Sequence, residues 1–282
     1  MKRIFIKAQA CAVVAVLLTL FMCVHFLCVK AQRPQNVTAD ASTYSSQRNY
    51  KLVWKDDFKG SKLDATKWSK IARKPWACFA HMSDDPSLYE IKGGRLRLYC
   101  ARNTSSSDTA RVITGGVTTE DKMPIKYGKV EVRARFKGAT GCWPAIWLAS
   151  CKQACDDPKW AEIDIVERYN HNNQVVMTAH NCYGSTWKKQ SESERNVKVD
   201  LNVSRWNVYA VEILPDCLIF SVNGKDVKVY KKMNNVEGQF PYGIAKYLRI
   251  DMQWGNDYLK DLRENELPAW MDIDWVKFYD LQ

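Results

Sequence analysis

Ala161-Glu162-Ile163-Asp164-Ile165-Val166-Glu167-Arg168 is the stretch from which the fold is read. Ile163, Ile165 and Val166 favour a β-strand, and three carboxylates sit among them. Side chains alternate along a strand, so Glu162 and Asp164 share one face. Glu167, five residues after Glu162, would point the other way in a regular strand. One extra residue at Ile165-Val166, a β-bulge, restores the phase and gathers all three acids on one side. Crowded carboxyls split their pKa values, because each charge disfavours the next ionisation. A solvated acidic edge is the plain structural reading. A pair of catalytic carboxylates tuned by a third is the chemical one, and no Lys or Arg stands between the acids.

Outward from this strand the chain reads as all-β. Lys51-Leu-Val-Trp-Lys-Asp-Asp-Phe58 opens the folded part. Leu88 to Tyr99 has a hairpin pattern turning at Gly93-Gly94, with Leu96 and Leu98 alternating with Arg95 and Arg97. From Gly128 to Lys137, Val130, Val132, Ala134 and Phe136 make one face and Lys129, Glu131, Arg133 and Arg135 the other, as in a half-buried antiparallel strand. Cys142-Trp-Pro-Ala-Ile-Trp-Leu148 follows. Later strands are expected at Gln174–His180, Trp206–Leu214, Cys217–Val222, Leu248–Trp254 and Trp270–Tyr279, with Asn223-Gly224 as a two-residue hairpin turn. No long amphipathic helix, internal repeat or second composition zone interrupts residues 50–282, so one sandwich or barrel is expected.

The N-terminus differs. Lys2, Arg3 and Lys7 precede an uncharged apolar run from Ala8 to Val29, and Val29-Lys30-Ala31 places small residues where a signal peptidase reads. Residues 1–31 are therefore expected to be an export signal; retention as a membrane anchor, or a lipid on Cys28, is the alternative. Residues 32–49 are polar and read as a disordered tether. The net charge is +11, and the leader's four cations leave +7 for the rest. No basic run or nucleic-acid motif concentrates that excess, which excludes a nucleic-acid binder and leaves solvated surface charge as the default. Ten cysteines less the three in the leader leave seven, an odd number, so an exported chain keeps at least one free thiol. Cys151 and Cys155 are spaced to close a short loop. Zinc is disfavoured by four histidines in all and no paired C-x-x-C.

Several stretches carry a family resemblance. Glu162-Ile-Asp-Ile-Val-Glu167 resembles the bulged E-x-D-x-x-E signature of the family-16 glycoside hydrolases. Trp54-Lys-Asp-Asp-Phe58 resembles the family's W-x-D-E-F opening, with Asp57 where Glu is usual. Tyr127 to Arg135, Trp143-Pro-Ala-Ile-Trp147 and Asp274-Trp-Val-Lys-Phe-Tyr279 match further family stretches, so the resemblance runs over roughly residues 51–280. It implies a jelly-roll β-sandwich of two antiparallel sheets with a concave substrate cleft. It also implies Glu162 as nucleophile, Asp164 as the acid that orients and tunes the pair, and Glu167 as general acid/base. Retaining glycosidases of this kind hold their two carboxyls about 5–5.5 Å apart and need no cofactor for the chemistry.

The chain holds 11 tryptophans, and aromatic planes stack on the C–H faces of sugars. Trp143, Trp147, Trp160, Trp254 and His180 are the expected substrate-facing residues, while Trp54 and Trp275 are expected in the core. Asp57, the Gly94 carbonyl and Asp274 match positions that bind a structural calcium in some relatives. Arg168 to Asn173, Ile250 to Gly255 and Glu266 to Trp270 resemble members that cut galactose linkages in mucin-type O-glycans. A secreted, monomeric endo-β-galactosidase acting on poly-N-acetyllactosamine is thus expected. A laminarinase-like endo-β-1,3-glucanase is the alternative within the family, and an inactive glycan-binding sandwich the alternative of another class.

Overall fold

The computed structural model describes residues 48–150, 154–256 and 259–282. The expected export signal, all but the last two residues of the tether, and Cys151 lie outside them. Cys78, Cys100, Cys142, Cys155, Cys182 and Cys217 are free thiols. Among the described residues no helix is long and apolar enough to cross a membrane.

The strands run in chain order as β1 (Tyr50–Asp56), β2 (Ser69–Lys70), β3 (Tyr89–Ile91), β4 (Leu96–Arg102), β5 (Val112–Thr114), β6 (Gly116–Thr118), β7 (Gly128–Lys137) and β8 (Cys142–Ala149). After these come β9 (Ala161–Glu167), β10 (Gln174–Asn181), β11 (Asn196–Asp200), β12 (Asn207–Ile213), β13 (Cys217–Val222), β14 (Lys225–Lys231), β15 (Tyr247–Trp254) and β16 (Ala269–Leu281). They form two antiparallel sheets. A nine-stranded sheet runs β14-β13-β12-β7-β16-β4-β3, with β1 on β16 and β5 on β4. A seven-stranded sheet runs β11-β10-β9-β8-β15-β6-β2.

The alternation in β7 places Val130, Val132, Ala134 and Phe136 in the core and its charged residues outside. These pack with Ile146 and Leu148 of β8, Ile163 and Ile165 of β9, and Ile250 and Met252 of β15, so one core fills the space between the sheets. Each fully buried aliphatic side chain contributes about 1.5–3 kcal/mol. Asn223 and Gly224 both have positive φ, 51° and 77°, which the tight turn between β13 and β14 requires. Trp54 packs against the core, stacked on Phe278 with centroids 4.5 Å apart. Trp275 departs from expectation. A register shift in β16 between Ile273 and Trp275 leaves it half-buried, with Lys277 over its ring at 4.2 Å.

Candidate active site

The site lies on the face of the seven-stranded sheet that points away from the core. On one side of β9, Asp164 pairs with Trp147 and Val166 with Ile146; on the other, Asp164 pairs with Thr178 and Glu167 with Val176. Ile165 is therefore the additional residue, a bulge where the sequence places it. Ile163, Ile165 and Val166 are all fully buried in the core. Burying Val166 gains about 1.5–3 kcal/mol, more than the roughly 0.5–1.5 kcal/mol of a ladder hydrogen bond given up at the bulge. The bulge is the conformation that buries both Ile165 and Val166 and turns Glu162, Asp164 and Glu167 together onto the opposite face.

Directly opposed residues of antiparallel strands share a face. Glu162 faces Ala149 and His180, Asp164 faces Trp147 and Thr178, and Glu167 faces Ala145 and Val176. The small neighbours Ala149, Thr178 and Ala145 leave room for the carboxylates. Glu167 Oε1 accepts two hydrogen bonds, from Trp143 Nε1–H at 2.8 Å and from the Tyr169 hydroxyl at 3.0 Å. Trp143 and Tyr169 stack with centroids 5.6 Å apart. Asp164 Oδ2 lies 2.9 Å from His180 Nε2, and Glu162 Oε1 lies 4.0 Å from the same nitrogen. Trp160 is half-buried, with its ring 6.3 Å from that of His180.

All three carboxyls bind protons more tightly than usual. Burial, then the charge of Asp164, pushes Glu162 up to about 8; His180 and Arg249 oppose the shift. Burial and Asp164 likewise push Glu167 up to about 8, against the hydrogen bonds from Tyr169 and Trp143. Asp164 is pushed up to about 7 by burial, opposed by its hydrogen bond with Glu167. The folded cluster thus holds protons that the unfolded chain releases near pH 4.5. Its contribution to stability is complete below that pH and is lost as pH rises through about 8. Glu162→Gln should therefore melt higher than the wild type at pH 9, with the advantage shrinking toward pH 5. A melting-temperature difference that stays flat across that range would contradict the assignment of a raised carboxyl.

The structure corrects several sequence expectations. Trp254 is 3% exposed and belongs to the core. Period-two alternation explains it: Leu248, Ile250, Met252 and Trp254 point inward, so Arg249, Asp251 and Gln253 face the acids' side. Trp147 lies on the acids' face but is 6% exposed. Phe79 stacks on it at 6.0 Å and the Arg249 guanidinium lies 4.9 Å from its centroid, so it is a floor rather than a stacking surface. At the positions expected for calcium, Asp57 pairs with Lys59 at 3.0 Å and Asp274 with Arg133. Gly94 lies beside Asp57, its would-be Cβ 3.8 Å from the Asp57 carbonyl oxygen. Glu162, Asp164 and His180 each bring a ligand atom within 4.8 Å of the others. The imidazole Nε2 is spent on Asp164, however, rather than aimed at a common centre.

Other residues of the site were not anticipated. Tyr169 sits two positions beyond Glu167 and donates to it. Asp251, fully buried, accepts from Trp147 Nε1–H at 2.9 Å and Gln253 Nε2–H at 2.7 Å, and burial raises its pKa to about 6. The polar alternation of Arg249, Asp251 and Gln253 was a readable signal for that row. Tyr169 had none, because its side chain meets Glu167 only after the chain leaves β9.

A two-sheet antiparallel sandwich with three acids on one bulged strand defines a class, and comparison with known proteins gives it a family. Residues 82–277 match the family model described as glycosyl hydrolases family 16, and the chain belongs to that family. It is 30% identical over 250 residues to a keratan-sulfate endo-1,4-beta-galactosidase of Sphingobacterium multivorum, covering 87% of this chain and 58% of that protein. It is 25% identical over 265 residues to glucan endo-1,3-beta-glucosidase A1 of Niallia circulans, covering 82% of this chain and 38% of that one. The chain thus spans little more than half of the first relative and less of the second. The solved laminarinase of Rhodothermus marinus superposes with a TM-score of 0.74 at 21% identity, over 84% of this chain and all of that one, a likeness of fold.

Proposed function

We propose that the chain is an endo-acting retaining β-glycosidase with Glu162 as nucleophile and Glu167 as general acid/base. The observation that carries this is the bulge that brings both glutamates to one face, with Glu167 held by Trp143 and Tyr169. In the first step Glu162 attacks the anomeric carbon while Glu167 gives its proton to the leaving glycosidic oxygen. Glu162 must be ionised and Glu167 protonated for this. Once Glu162 is an ester its charge is gone, so Glu167 holds the ionised form more readily. Water then attacks the anomeric carbon, gives its proton to Glu167 and frees Glu162, which restores the starting state. Asp164 and His180 hold the glutamates in place. No cofactor enters either step.

Trp143 and Trp160, both partly exposed, are the stacking surfaces for the sugar rings in this reading. For substrate, internal β-galactosidic linkages of poly-N-acetyllactosamine on mucin-type O-glycans are the first choice, supported by the likeness to a keratan-sulfate endo-1,4-beta-galactosidase. The likeness to a glucan endo-1,3-beta-glucosidase supports β-1,3-glucan as the second reading. The charged, apolar leader supports export. Side-by-side digestion of mucin O-glycans, laminarin and mixed-linkage β-glucan, with product analysis by mass spectrometry, tests the choice. Galactose-terminated oligosaccharides from the first alone are expected. Release from laminarin alone would give the second reading, and no new reducing ends from any of the three would leave a glycan-binding sandwich.

A further inference from the structure

Behind His180 lies a built arrangement that the two-glutamate mechanism does not use. Arg195, the last residue of a short helix (Glu192–Arg195), is 5% exposed. Its guanidinium donates to Ser185 Oγ at 3.1 Å and faces His180 Nδ1 at 3.4 Å, while its Nε is buried without a partner. Among the described residues no carboxylate lies within ion-pair distance of it. Burying an unpaired cation is strongly unfavourable, so the position calls for an explanation. The surroundings are shaped around it. A Cβ on Gly184 would stand 2.3 Å from Arg195 Cδ, so only glycine leaves the guanidinium its space. Asn181, fully buried, accepts from Gly184 N–H at 2.8 Å and sets the turn that carries Ser185 to within 3.0 Å of His180 Nδ1.

A guanidinium has N–H donors and no acceptor. Opposite it, His180 Nδ1 presents its lone pair, since a proton there would meet the guanidinium N–H head-on. We propose that Arg195 is a positioning residue that fixes His180 as the tautomer protonated on Nε2, so that Nε2–H donates to Asp164. This rests on the roles assigned to Glu162 and Glu167 above. The ring then serves Asp164: Nε2–H donates to Oδ2, and Asp164 shares its strand face with Glu167. With Asp164 kept as an acceptor, the proton stays on Glu167, where the leaving oxygen needs it. Without Arg195, Nδ1–H can donate to Ser185 and Nε2 becomes an acceptor. Asp164 must then carry a proton toward the ring, and Glu167 loses its own. Asn181, Ser185 and Gly184 serve the arrangement as its frame.

Arg195→Met and Arg195→Lys test it, with long-range proton–nitrogen NMR correlations on the His180 ring as a readout independent of turnover. In the wild type and Arg195→Lys, whose ammonium is also donor-only, Nε2 should carry the proton. In Arg195→Met the proton should move to Nδ1. On the glycan, Arg195→Met should lose about 10- to 100-fold in kcat with little change in KM, and Arg195→Lys should recover most of it. A dinitrophenyl glycoside, which needs little protonation, should show a much smaller loss. A folded Arg195→Met that keeps the Nε2 proton overturns the proposal, as does an equal loss on both substrates. Should Arg195→Met fail to fold, Arg195→Leu replaces it. Leucine offers no donor to Nδ1, so a ring that keeps its proton on Nε2 there overturns the proposal equally. A wild type inactive on every glycan would defeat the enzymatic reading, whereas the tautomer seen by NMR would still decide the role of Arg195.

Discussion

Glu162→Gln is expected to lower turnover by about four orders of magnitude or more while leaving glycan affinity nearly unchanged. The amide keeps the shape of the side chain, and it keeps a hydrogen-bonding group opposite Ala149 and His180. What it loses is the negative charge that makes the carboxylate oxygen a nucleophile in the proposed mechanism. Trp143 and Trp160 are untouched, so stacking on the sugar rings survives. The cluster also loses one of three mutually repelling acids, which eases the burial of the other two. Calorimetry on an uncleaved oligosaccharide, beside a reducing-end assay, separates the outcomes. Loss of binding together with turnover would mean that Glu162 holds substrate rather than attacks it. Turnover within tenfold of the wild type would remove it from the chemistry.

Glu167→Ala should impair both halves of the reaction, and unequally. On a natural glycan the leaving oxygen needs a proton, so glycosylation should fall by about two to four orders of magnitude. A dinitrophenyl glycoside leaves without help, so its first step should be largely spared and the glycosyl-enzyme should accumulate. Azide needs no general base and should then rescue the second step. Two inversions through the Glu162 ester give a β-glycosyl azide. In Glu162→Ala, azide should instead enter from the vacated side and give the α-azide by one inversion. NMR of the azide products reads the anomer directly. Exchanged stereochemistry would swap the roles of the two glutamates, and inverted product from the wild type would remove the retaining mechanism.

Much of this site is legible in the residues themselves. The full alternation of β7, the Asn223-Gly224 turn and the closing strand all lie where local pattern places them. The bulge at Ile165-Val166 is also readable, since two consecutive apolar residues beside three acids admit no regular strand that buries one set and gathers the other. Trp254 carries a readable signal of another kind: its aromatic identity suggests a sugar-facing role, but the period-two pattern of β15 assigns it to the core, and the pattern prevails. Trp147 is different. Its face follows from the alternation, but the turn at Ala77–Phe79, far away in the chain, closes over it. Asp57 and Asp274 likewise match a pattern whose outcome depends on Lys59 and Arg133.

The sequence alone determined an all-β chain and a strand with three acids on one face. Both follow from sterics and side-chain alternation between near neighbours, which spacing expresses directly. Only the tertiary structure decided which aromatic residues face the acids and which are covered. It also decided that Trp143 and Tyr169 hold Glu167 and that His180 reaches Asp164 with Arg195 behind it. The reason is that desolvation and hydrogen bonding depend on what surrounds a group in three dimensions. Trp147 and Asp251 are 104 residues apart in the chain and 2.9 Å apart in the fold. The raised pKa values of the three carboxyls come first from burial, and a spacing of residues along the chain does not state how deep any of them will lie.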